Sequence, residues 1–349
     1  MAGLISLFGT RYVIIVSRRL GRGQPILGKD ERNMVAVDHQ HKEGTPTMGG
    51  LAILGAAFVG YCVAHIRAGL AFSDQAMIMF LGIFLLAGIG FVDDYLKVRR
   101  RHNRGLFWKR KNLIVLAAAA VPVVLLQQAT SVSQTLSFTR ADWPGWELPA
   151  FVYIVWATFI VFATSHAVNV TDGLDGLAAG SGMLSFFGFA AIAFWGFRNP
   201  ELFPMVNPLD LAVLAVAFAA ACGGFLWWNA APARVFMGDV GSLAIGSALG
   251  LLAVTTNTQL LLPILCALNV IEIGSVAVQM GVFRLSGRRK RLFRMSPIHH
   301  HFEKGDQPWP ETTIIIRFWL IAGIFVLVAL GIFVADFTRL AREATEMVP

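Results

Sequence analysis

Residues 75–97 read QAMIMFLGIFLLAGIGFVDDYLK, an apolar run from Met77 to Val92 closed by two adjacent carboxylates, Asp93 and Asp94. A helix that crosses a bilayer needs roughly 20 predominantly apolar residues. Acidic groups are costly next to hydrocarbon and mark function where they occur. The stretch therefore predicts a membrane helix with charge held at its mouth. The same arrangement recurs along the chain. Asn169-Val-Thr-Asp172-Gly-Leu-Asp175-Gly separates two further apolar runs, Gly238-Asp239 opens another, and His299-His300-His301 lies in the last loop.

The rest of the composition agrees. Of 349 residues, 56% are hydrophobic and only 14% charged, with mean hydropathy +0.63. A soluble domain carries about 25% charged residues. This is an all-α, polytopic membrane protein built as one transmembrane domain over residues 1–349, with no separate soluble domain. Cys62, Cys222 and Cys266 sit in apolar runs at irregular spacing and read as buried thiols. The first apolar run lacks a basic leader and a small-residue cleavage site, so it is expected to remain as an anchor.

Hydropathy gives ten candidate spans: Ala2–Val16, Met48–Ile66, Gln75–Val92, Leu113–Thr130, Leu148–Val168, Leu174–Phe197, Leu209–Trp228, Val240–Thr255, Gln259–Leu285 and Thr312–Phe337. The first is short and contains Arg11; either it spans poorly or translation starts upstream of Met1. The eighth is short but rich in Gly and small residues, as packed interior membrane helices are. Lys and Arg concentrate in alternate loops: Arg18 to Lys42, Lys97 to Lys111, Arg234, and Arg284 to Lys304. The intervening loops hold only Arg67, Arg140 and Arg198, with Arg339 and Arg342 in the tail. The basic set is expected to be cytoplasmic and both termini outside, which puts the acidic clusters and the histidines on the cytoplasmic face.

Each cluster has a bland and a functional reading. Asp93 and Asp94 end an apolar helix, where the macrodipole disfavours carboxylates. Lys97 and Arg99–Arg101 would neutralise them, or a metal would repay the placement. Adjacent helical residues point about 100° apart, so the pair is expected to serve two different partners. Asp172 is a candidate N-cap. Capping does not account for Asn169, Asp172, Asp175 and the glycines Gly173, Gly176 and Gly180 together, which suit an anionic ligand brought close to the backbone. Asp239 is likewise either a cap or a ligand. Beside it, Phe236 is a candidate to stack on a nucleobase and Asn229 to hydrogen-bond one, while Trp227 and Trp228 suit an interfacial belt. Three consecutive histidines chelate zinc poorly; phosphate donors or a solvated loop remain. In the ninth span Asn269, Glu272 and Gln279 share a broad face. Glu272 is expected to bond neighbouring helices and Gln279 to reach substrate. Lys42-Glu-Gly-Thr45-Pro-Thr47-Met-Gly-Gly50 offers a cation, two hydroxyls and glycine backbone at a helix start.

Five segments together, KEGTPTMGG (42–50), DDYLK (93–97), NVTDGLDGL (169–177), NAAPARVFMGDVGS (229–242) and PIHHHFE (297–303), resemble the polyprenyl-phosphate N-acetylhexosamine-1-phosphate transferases. PIHHHFE and KEGTPTMGG resemble the phospho-N-acetylmuramoyl-pentapeptide transferase branch of peptidoglycan assembly. The resemblance implies transfer of phospho-MurNAc-pentapeptide from UDP-MurNAc-pentapeptide to undecaprenyl phosphate, yielding lipid I and UMP with Mg²⁺, in the bacterial inner membrane. It implies Asp239 as the Mg²⁺ ligand, Asp93 acting on the lipid phosphate as base or nucleophile, and Asp94 in support. By the same resemblance Lys97, Asn169, Asp172, Gly173, Asp175, Asn229, Phe236, Gln279, His299, His300 and His301 line the nucleotide and phosphate pocket, with Lys42 and Thr47 near its entrance. A homodimer is implied and a nucleic-acid partner is not. Two rivals are a UDP-GlcNAc 1-phosphate transferase, against which the triple histidine argues, and a cation-coupled transporter. Transporters keep polar sites at the midplane on broken helices; here the main acids lie at helix ends.

Overall fold

A computed structural model describes residues 1–19, 42, 44–100, 105–305 and 307–346 of the chain. Arg22, Lys29 and Arg32 of the first basic loop, and Arg101 and Arg104 of the second, lie outside the described residues. The elements in order are α1 (Ala2–Arg19), α2 (Gly50–Ala68), α3 (Asp74–Arg100), α4 (Trp108–Ala129), β1 (Thr135–Arg140), β2 (Trp143–Glu147), α5 (Ala150–Thr171), α6 (Leu177–Arg198), α7 (Pro208–Asn229), α8 (Gly238–Thr255), α9 (Leu262–Leu265), α10 (Ala267–Leu285), α11 (His299–Glu303) and α12 (Glu311–Glu346).

Nine of the described helices, α2 to α8, α10 and α12, are long and apolar enough to cross a membrane. The tenth expected span is a helix, but a marginal one. α1 carries Arg11, Arg18 and Arg19 among 18 residues and falls short of the hydropathy of the others. It packs on α2 and α7.

α8 is the axis of the bundle. Every residue from Val240 to Thr255 is buried, with α3 and α5 packed along it. Its small residues make this possible, as the sequence led us to expect. One close approach is at Gly90 of α3, where an added Cβ would lie 2.3 Å from the carbonyl oxygen of Asp239. Gly90→Ala therefore forces α3 and α8 apart. We expect a loss of about 1–3 kcal/mol, read as a lower melting temperature in detergent. An unchanged melt would show that the helices slide freely here.

Three local expectations need correction. First, α3 does not end at Asp93-Asp94 but continues to Arg100. The acids sit inside the helix, one turn before Lys97, which offsets the poor dipole placement. Second, Gln259–Leu285 is not one span. The chain turns at residues 259–261 and forms the single turn α9, with Pro263 in its first turn; α10 begins at Ala267. Third, the segment before α5 is an antiparallel β-hairpin, β1 on β2, with Thr135 opposite Glu147 and Leu136 opposite Trp146. Thr139 and Arg140 bond the Asp336 carboxylate of α12 at 2.5 and 3.1 Å, and Ser137 accepts from the Leu260 N–H at 2.9 Å. The hairpin thus ties α12 to the α8–α9 turn, at the end of the bundle away from Asp93. The three cysteines are free thiols, Cys222 and Cys266 buried.

Candidate active site

The motifs converge at one end of the bundle. α3 brings Asp93 and Asp94, the first turn of α8 brings Asp239, and one oxygen from each lies within 4.8 Å of the others. Two adjacent helical acids were expected to face different partners. They do in part: Asp94 Oδ2 accepts the Val240 N–H at 3.2 Å, while Asp93 Oδ1 accepts the Leu106 N–H at 2.6 Å. Yet both reach the same centre, because α8 starts between them.

Two ammonium groups fill that centre. Lys97 Nζ lies 2.7 Å from Asp93 and 2.8 Å from Asp239, with Asp94 at 3.6 Å. Lys111 Nζ lies 2.5 Å from Asp239 and 3.3 Å from Asp93. Lys97 stands out in the sequence beside the two acids, but Lys111 is one of three adjacent cations, Lys109 to Lys111, with nothing to single it out. Asn169 donates to Asp239 Oδ1 at 2.7 Å and to Ser242 at 2.8 Å. Asp239 is not an N-cap. Met237 takes that position, and none of the described side chains caps it. Asp239 instead sits in the first turn, where the dipole favours its charge. Three hard oxygen donors, held together by cations in the free protein, are a set that fits Mg²⁺. Asp239 would hold it, with Asp93 and Asp94 in reach.

The second half of the site is a frame of paired segments. Residues 46–50, which lead into α2, run beside 236–237: the Phe236 N–H donates to Pro46 O at 2.7 Å, Gly49 N–H to Phe236 O at 2.9 Å and Gly50 N–H to Met237 O at 3.0 Å. Thr47 is buried there and Phe236 is half-buried. Asn229, expected on substrate, is buried and spends its amide on the frame: Oδ1 accepts from Gly176 N–H and Nδ2 donates to Val235 O. Asp175 accepts from Ala233 N–H at 2.9 Å and pairs with Lys42 at 2.8 Å. Lys42 also pairs with Glu311 at 2.6 Å, and Glu311 accepts from the Asp175 N–H at 3.0 Å. Glu311, an isolated acid at the start of α12, was not legible in the sequence. Asp172 lies in the turn between α5 and α6 as the C-cap of α5, not as an N-cap, which for α6 is Gly176. Desolvation, and after it the charges of Asp239, Asp94 and Asp175, push its carboxyl up to about 8, so in the free protein it is mostly protonated at neutral pH.

The histidines divide. His299 is fully buried. Its Nδ1 lies 3.0 Å from Glu272 of α10, and its Nε2, without a partner among the described residues, lies against Gly173, where a Cβ would come within 2.4 Å. Glu272 thus bonds a neighbour, as expected, and holds His299 over the Asp172 turn. His300 Nδ1 pairs with Glu303 at 2.5 Å, and His301 Nδ1 accepts from the Arg294 N–H at 3.1 Å. Gln279 does not project freely. Its Oε1 accepts from Leu292 and Phe293 N–H and its Nε2 donates to Phe293 O, so it pins the loop that leads to the histidines.

Comparison with known sequences identifies the family. The profile of glycosyl transferase family 4 matches residues 76–257, and signature 1 of phospho-N-acetylmuramoyl-pentapeptide-transferase matches residues 42–54. Proteins named phospho-N-acetylmuramoyl-pentapeptide-transferase are similar over nearly their whole length. That of Frankia casuarinae is 41% identical, covering 97% of this chain and 96% of its own. That of Saccharopolyspora erythraea is 43% identical, covering 98% and 97%. That of Streptomyces griseus is 42% identical, covering 96% and 97%. The chain belongs to the phospho-N-acetylmuramoyl-pentapeptide-transferase family, within glycosyl transferase family 4.

Proposed function

We propose that this phosphosugar transferase moves phospho-MurNAc-pentapeptide from UDP-MurNAc-pentapeptide to undecaprenyl phosphate, giving lipid I and UMP in peptidoglycan assembly, with Mg²⁺ on Asp239. The observation that carries the reading is the convergence of Asp93, Asp94 and Asp239 with Lys97 and Lys111 at one end of a membrane bundle, beside the frame of residues 42–50, 172–177 and 229–237. An acceptor phosphate oxygen forms a bond to the sugar-bearing phosphorus, and the bond from that phosphorus to the bridging oxygen breaks, leaving UMP. Both substrates are anionic, so charge must be neutralised where they meet. Lys97 and Lys111 supply two cations, and Mg²⁺, when bound, neutralises and orients phosphate oxygens. A phosphate monoester is already largely ionised near pH 7, its second pKa being about 6, so Asp93 need not act as a strong base.

In this reading the site faces the cytoplasm of the bacterial inner membrane and both termini lie outside. Among the described residues, Lys97 and Lys111 lie at the carboxylate end and Arg140 lies with the hairpin at the other, which supports that orientation. The acceptor's phosphate then arrives at headgroup level, where the carboxylates lie. A homodimer belongs to the same reading.

Phe236 stacks on the uracil. Phe236→Ala is expected to weaken UMP binding by about 1–3 kcal/mol, and Phe236→Trp by less. Equal calorimetric affinity in wild type and the alanine variant would assign Phe236 to packing. The substrate itself is tested by offering UDP-MurNAc-pentapeptide and UDP-GlcNAc separately with undecaprenyl phosphate. Label carried into the lipid phase from the first alone is expected; equal use of UDP-GlcNAc would place the chain with the other sugar 1-phosphate transferases.

A further inference from the structure

One polar group in α5 is unaccounted for by the motifs and by the carboxylate cluster. His166 precedes Asn169 by three residues, so the two share a helix face, and it lies about 4.5 Å deeper along the axis. Both line a cavity of 1030 Å³ together with Asp93, Lys97, Arg110 and Lys111. The His166 ring rests edge-on against Phe162, one turn earlier, with centroids 4.4 Å apart. Its Nε2 is buried and without a hydrogen-bond partner among the described residues.

An unpaired ring nitrogen inside a span is costly. Polar side chains at this depth face the protein interior and mark substrate paths. The cavity that His166 faces combines two kinds of wall. Lys97, Arg110 and Lys111 bring positive charge. Leu96, Phe107 and Trp108 bring apolar surface, and the last two are exposed at the rim. A phosphate carried on an apolar chain matches both; a free sugar nucleotide matches only the first.

We propose that His166 is a further contact of the lipid acceptor, its ring N–H donating a hydrogen bond to a phosphate oxygen of polyprenyl phosphate seated in this cavity. The inference rests on the reading that the acceptor is such a lipid. His166 transfers no proton; it places the phosphate between the lysines and the carboxylates, on the Asn169 face of α5.

The test uses the full chain in detergent and two substitutions. His166→Phe keeps the ring's bulk and removes the donor, whereas His166→Gln restores an N–H. Calorimetric binding of a short-chain polyprenyl phosphate, which needs no turnover, is measured beside UMP binding. Hydrogen bonds to charged groups predict a roughly tenfold or greater loss of polyprenyl phosphate affinity in the Phe variant, with UMP affinity unchanged and the Gln variant within about threefold of wild type. The KM for the lipid rises in step while that for the nucleotide does not. Wild-type lipid affinity in the Phe variant overturns the proposal. So does a Gln variant as weak as Phe, or an equal loss of UMP affinity, each of which assigns His166 to packing. A wild type that binds polyprenyl phosphate through His166 but releases no UMP contradicts the transferase reading alone. A wild type that binds no polyprenyl phosphate contradicts both.

Discussion

Asp239→Asn is expected to fold and to be inactive. In the free protein the carboxylate accepts from Asn169, Lys97 and Lys111. The amide puts two N–H groups where those donors need an acceptor, and it is a poor ligand for a hard cation. Loss of the metal removes several kcal/mol of transition-state stabilisation, so turnover should fall roughly a thousandfold or more. The fold should survive, since the position is not a cap and Asn is nearly isosteric, but Lys97 and Lys111 lose a shared acceptor, so the melting temperature should fall. The check is UMP release against Mg²⁺ concentration, beside a melting curve. An Asn variant with wild-type turnover and Mg²⁺ dependence would remove Asp239 from the metal.

Asp93→Asn should separate binding from chemistry. Asp93 touches Lys97, Lys111 and the Leu106 N–H, all on the cavity side. The frame of residues 42–50, 172–177 and 229–237 does not involve it. Nucleotide affinity should therefore hold while kcat falls about 10²–10⁴-fold, as for a group that acts in the transition state. Calorimetry with UDP-MurNAc-pentapeptide and a single-turnover assay on one sample decide it. Lost nucleotide binding with an intact melt would move Asp93 into the nucleotide pocket. A phosphosugar trapped on the wild-type enzyme without acceptor would favour a two-step route.

The parts of the fold and site that were legible in the sequence share a cause. Long apolar runs are strong local signals, so the nine described helices long and apolar enough to cross a membrane fall within the ten expected spans, and α8 was recognisable as interior from its glycines. Carboxylates beside such runs stand out, so Asp93, Asp94 and Asp239 were found and the structure gathers them. What failed was contact at long range. Lys111 reaches Asp239 across 128 residues and Glu311 reaches Lys42 across 269, and neither position has a local pattern. Asn229 and Gln279 were legible as special but not as frame and clamp, because an amide's partners are set by backbone that only folding brings near. The hairpin was missed because residues 135–147 are short and polar beside spans that dominate any hydropathy reading.

The most direct measurement is the requirement for each component in UMP release. Purified protein in detergent is given UDP-MurNAc-pentapeptide, undecaprenyl phosphate and Mg²⁺, and UMP and lipid I are quantified together. One UMP is expected for each lipid I formed, and neither product when the lipid, the nucleotide or the metal is left out. UMP appearing at the same rate without undecaprenyl phosphate, or lipid I formed at full rate with Mg²⁺ chelated, would contradict a metal-assisted transfer at the Asp93–Asp94–Asp239 centre.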